Sequence, residues 1–132
     1  MIVEHFLPSQ PKLFDLPSRD ARHILAMRCW CLLRQSGLDP TSRLSELLLA
    51  DRAGQRFNVL MVAVVQVWPE PFVVHRRCCA ITSLDEGILL RALQLAAVRA
   101  RPQFDALLYE MIPDDARNVM FARASSLYSG AG

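Results

Sequence analysis

The chain has 132 residues, 52% of them hydrophobic and 21% charged, with a formal net charge of +2. A chain this long buries roughly 65–70% of its unfolded surface, so neither a disulfide framework nor a metal is required to hold it folded. The charge is too small for a nucleic-acid footprint. The longest apolar run, Phe57 to Trp68, is interrupted by Asn58 and Gln66 and falls well short of the ~20 residues of a membrane-spanning helix.

Residues 1–17 hold Pro8, Pro11 and Pro17, which rule out a continuous helix, alongside Ile2, Val3, Phe6, Leu7, Leu13, Phe14 and Leu16. They read as an extended apolar N-terminal arm that packs on its own domain or on a second subunit. The opening "MIVEHFLPSQ" lacks the basic head and long apolar core of a secretory leader. The expected location is therefore cytoplasmic, where the four cysteines stay reduced.

Ser18 offers an N-cap and Asp20 suits the positive end of a helix dipole. The first helix is predicted from there to about Ser36, with Gly37 at its left-handed end. Its apolar residues, Ile24, Leu25, Met27, Cys29, Trp30, Cys31, Leu32 and Leu33, fall nearly all round the helix, which marks a central, buried element. Asp39-Pro40 opens a short second helix with Leu44, Leu47 and Leu48 on one face, ending before Gly54. "FNVLMVAVVQVW" is apolar on every side. Its valines suit a strand, but its length favours a helix, with Pro69 as its stop.

Residues 69–81 form a connector. Ser83 and Glu86 match the S-x-x-E capping box, and Thr82 with Asp85 is an equally good start one residue earlier. The fourth helix is predicted from Leu84 to about Arg101. A fifth, after Pro102, packs through Phe104, Leu107, Leu108 and Met111. A sixth opens at Asp114-Asp115 with a stripe of Ala116, Val119, Met120, Ala124 and Leu127. The expected fold is all-α: a compact bundle of about six helices in a single domain over residues 18–128, with the arm before it and a flexible tail over 129–132.

The segment "HRRCCAITSLDE" concentrates the residues with chemistry. His75, Cys78 and Cys79 are candidate metal ligands, but adjacent cysteines point apart and zinc wants four converging donors. Cys29 and Cys31, two residues apart on a helix, face opposite sides, so at most one joins such a site. A thiolate near a helix start and beside Arg76 and Arg77 is a candidate reactive group. Against this stands the common use of cysteine as a small buried apolar residue, which makes the segment a connector packed beneath the fourth helix. The carboxylate pairs Asp85-Glu86 and Asp114-Asp115 fall in first helical turns, where the dipole accounts for them. No glycine-rich phosphate loop and no H-E-x-x-H pattern occurs, so no cofactor is implied.

Residues 18–50 resemble two helices joined by a tight turn, an arrangement that presents Thr41, Ser42, Arg43 and Glu46 to DNA in a helix-turn-helix. Helical hairpins are general in bundles, however, and nucleic acid is an unexpected partner at this net charge. All basic residues but Lys12 are arginine, a phosphate-binding preference or the imprint of a GC-rich genome. They are spread along the chain, which favours the second.

The stretch "CCAITSLDEGILLRAL" and the earlier "LLRQSGLDP" resemble a small bacterial family of helical proteins known only as a domain of unknown function, over about residues 18–100. That family's pattern has three cysteines together. Arg77 stands at the first of those positions here, which weakens any shared metal role. The resemblance implies an all-α fold and supplies no activity, ligand or catalytic residue. The expected function is a non-enzymatic interaction domain, with a homodimer as its first partner. A thiol or metal site at Cys78-Cys79 is the alternative, and DNA binding through residues 18–50 a weaker one.

Overall fold

The computed structural model describes residues 11–127. Among these, six α-helices follow a short 3₁₀ turn at Leu13–Asp15. They are α1 (Ser18–Gln35), α2 (Thr41–Leu48), α3 (Ala53–Val67), α4 (Leu84–Ala97), α5 (Arg101–Leu108) and α6 (Asp114–Ser126). The chain is all-α over these residues. The one β-type pairing among the described residues is an isolated antiparallel bridge between Lys12 and Ile81. Residues 1–10 of the predicted arm and the predicted tail lie outside the described residues, whereas Pro11 to Leu13 pair with the end of the connector and Thr82. Leu13 is buried, and its N–H donates to Ala80 O.

The valine-rich run is helical. Phe57, Leu60, Met61 and Val64 of α3 are fully buried, and Asn58, an apparent interruption, accepts the Trp30 indole N–H at 2.7 Å. The helix starts at Ala53, earlier than its apolar run. Gly54 is inside it because α2 and α3 pack closely there: a Cβ at this position would collide with Thr41 O and the Ser45 hydroxyl. α1 packs against α2, α3 and α4, as a central helix should. It is not buried all round, since Leu32 is about half exposed and Cys29 and Cys31 are half-buried. In α6, Val119 likewise faces outward while Met120 and Ala124 are buried.

Three helix boundaries differ from expectation. Ser18 is already helical and makes no cap; Pro17 occupies the N-cap position without a side-chain bond. α2 begins at Thr41 with Pro40, not Asp39, in the N-cap position, although the Asp39 carboxylate still accepts the Thr41 N–H at 3.0 Å from one residue further out. α4 stops at Ala97 rather than near Arg101, because the chain turns through a left-handed Arg99 (φ 57°). There Arg99 N–H bonds Ala96 O and Ala100 N–H bonds Leu95 O, the paired bonds of a Schellman ending. α1 ends the same way with Gly37 (φ 73°) in the left-handed position, and α2 does so with Leu49 (φ 61°).

Candidate functional site

The connector between α3 and α4 is a strap held by one arginine. Arg28 sits mid-way along α1, in an otherwise apolar turn, and its side chain is 1% exposed. It meets Glu86, at the third position of α4 and fully buried, in a two-pronged pair: Nε to Oε2 at 2.9 Å and Nη2 to Oε1 at 3.0 Å. The remaining N–H groups reach the strap, Nη1 to Cys79 O at 2.8 Å and Arg77 O at 3.4 Å, and Nη2 to Ile81 O at 3.2 Å. A guanidinium has five N–H donors, and all five are used.

Glu86 is filled from its other side. Its Oε1 accepts the Ser83 N–H at 2.9 Å and its Oε2 accepts the His75 N–H at 3.0 Å. Ser83 is the N-cap of α4: its hydroxyl accepts the Glu86 N–H at 3.0 Å and donates to Val73 O at 2.6 Å. Thr82 has a different task. Its hydroxyl and its N–H both donate to Pro11 O, tying the N-terminal segment to the strap. The capping box therefore does more than start a helix. Its carboxylate is also the buried counter-ion of Arg28, a role that first-turn dipole reasoning does not foresee. Two ions removed from water persist because every donor and lone pair has a partner, and such a pair fixes geometry more than it adds net stability.

Of the candidate ligands, the fold brings His75 and Cys79 together, with Nδ1 and Sγ 3.7 Å apart. Cys78 is exposed. Among the described residues no three His, Cys, Asp or Glu side chains converge to hold a metal ion. His75 Nδ1 also lies 2.6 Å from Ile81 O. A carbonyl only accepts, so Nδ1 carries the proton and is not placed to take one from the Cys79 thiol. Cys29 and Cys31 pack against the core. Burial pushes the Cys31 thiol up to about 11, with the Glu86 charge adding to it. Burial also raises Cys29, while Arg43 and Arg77 pull it back down.

Beside the strap is a cleft of about 300 Å³, lined by Arg28, Cys29, Leu32 and Leu33 of α1, Arg43 of α2 and Arg77 of the strap. Of the residues expected to face DNA, Ser42, Arg43 and Glu46 are exposed, whereas the Thr41 hydroxyl is turned onto Asp39 at 2.8 Å. A second buried arginine, Arg117 of α6, donates to Asp105, Asp114 and Ile112 O, joining α5 to α6. Arg28 and Arg117 thus serve the interior rather than a phosphate. The composition does not reveal this. For Arg28 the one hint is a charge standing alone in the apolar stretch Ile24–Leu33.

No protein-family model matches the chain, and no curated protein or solved structure matches it.

Proposed function

We propose that this chain is a non-enzymatic interaction module that pairs with a second copy of itself through the strap. One observation carries the reading. Phe14, Val73, Ile81 and Leu84 are 82%, 54%, 50% and 63% exposed, and all belong to the strap, the residue after its cap or the segment paired with it. Large exposed apolar groups concentrated along one anchored segment favour an interface, and a two-fold pairing needs only one self-complementary surface. The polar groups beneath it satisfy one another, which supports a presenting surface more than a reaction centre.

Sedimentation velocity over a concentration series tests this. The parent protein is expected to dimerise, and Leu84→Asp to be monomeric. Leu84 is the first residue of α4, where an added carboxylate suits the helix dipole, so the variant keeps its fold. A parent that stays monomeric at tens of micromolar refutes self-association. A thiol or metal role is the alternative, supported by exposed Cys78 and by Cys79 next to His75. Titration of native thiols together with metal analysis separates it from the first reading. DNA binding through residues 18–50 rests on exposed Ser42 and Arg43 and is tested by salt-dependent binding to generic duplex.

A further inference from the structure

The cleft between α1, α2 and the strap is mainly apolar and has two further arginines, Arg43 and Arg77, among the residues that line it. Cys29, Leu32 and Leu33 supply the apolar wall. Arg28 also lines it, but its guanidinium is fully engaged below with Glu86 and the strap carbonyls. The other two guanidiniums differ. Arg77 is held through its backbone, its carbonyl accepting from Arg28 Nη1, and its side chain makes no hydrogen bond or ion pair among the described residues. Arg43 reaches Glu46 only at 4.0 Å, with both side chains more than half exposed, a pairing too weak to compete with a ligand. Both guanidiniums act on the Cys29 sulfur, drawing its thiol down against burial.

We propose that this cleft binds a small amphipathic carboxylate, with its alkyl or aryl body on Cys29, Leu32 and Leu33 and its carboxylate between Arg43 and Arg77. Guanidinium forks match carboxylate geometry. The volume of about 300 Å³ lies at the lower end for small-molecule sites. None of Phe14, Val73, Ile81 or Leu84, the residues proposed for pairing, lines the cleft, although Arg77 belongs to the strap.

The probe is decanoate, below its micelle concentration, with decanol as the uncharged control. Binding is followed by calorimetry, and occupancy by the rate at which Cys29 is alkylated relative to exposed Cys78, read by peptide mapping. Decanoate is expected to bind one per chain, to slow alkylation of Cys29 but not of Cys78, and to weaken with added salt. Decanol is expected to bind at least about ten-fold more weakly, the scale of a charge-assisted hydrogen bond. Arg77→Gln retains the carbonyl that Arg28 holds, and is expected to weaken decanoate about ten-fold while leaving decanol and the unfolding midpoint unchanged. The proposal is overturned if decanoate does not bind, or if decanoate and decanol bind alike. It is equally overturned if Arg77→Gln changes nothing, or if an acidic amphipathic peptide protects Cys29 where decanoate does not.

Discussion

Replacing Arg28 with methionine keeps an unbranched apolar stem in α1 and deletes the guanidinium. Glu86 is then left as a fully buried carboxylate with two backbone donors, Ser83 N–H and His75 N–H. The carbonyls of Arg77 and Cys79 lose their donor as well, while Ile81 O keeps His75 Nδ1–H, and all three lie on a strap that water can reach. Breaking a buried pair from one side costs about 3–5 kcal/mol. For a chain of this size that is a fall in melting temperature on the order of 10–20 °C, and a large share of the roughly 5–15 kcal/mol that holds a typical domain. Urea unfolding with linear extrapolation measures it, and an unchanged slope shows that the change lies in stability rather than in the unfolded state. Glu86→Gln added to Arg28→Met neutralises the stranded charge, so the double variant is expected to be at least as stable as Arg28→Met alone. That corresponds to a coupling of about 1–3 kcal/mol. A loss below about 1 kcal/mol for Arg28→Met, or simply additive losses, would refute the account of the pair as the strap's anchor.

Ser83→Ala removes both the cap and the bond to Val73 O and is expected to cost about 1–2 kcal/mol. Thr82→Ala, whose N–H still bonds Pro11 O, is expected to cost less; the reverse order in thermal melts would place the cap one residue earlier. Gly54→Ala is expected to destabilise by about 1–3 kcal/mol despite alanine's better helix propensity, because its methyl meets Thr41 O and Ser45 across the α2–α3 contact; a stabilised variant would deny that close approach. His23, stacked on Phe57, is lowered from 6.5 to about 4 by burial and by Arg19, with Arg22 adding and Asp20 opposing. The unfolded chain then takes up the proton first, so this contribution is complete above about pH 6.5 and is lost as pH falls toward 4. The loss is on the order of 3 kcal/mol, and His23→Leu should flatten the stability profile in that window.

The features legible in the sequence are those whose causes lie within a few residues of each other. The apolar spacing of Phe104 and Leu108 predicts α5, the Ser83–Glu86 spacing predicts the start of α4, and Gly37 predicts the end of α1. Each depends on contacts across three or four positions, which the order of residues states directly. Where the same local device is built from another residue, the signal disappears. α2 and α4 end in the same left-handed turn as α1, but with Leu49 and Arg99, residues that pay roughly 1–2 kcal/mol to adopt it. Nothing in those side chains announces the turn.

Composition and local pattern alone determine that this chain is a set of about six helices with an apolar interior, because helix formation and amphipathic burial are read within single turns. Only the tertiary structure decided that Arg28 and Glu86, 58 residues apart, share one buried site, that Gly54 belongs inside a helix, and that Arg43 and Arg77 line the same cleft. Pairing of buried charges depends on which faces meet once the helices have packed, and that choice is made by the whole core rather than by either neighbourhood.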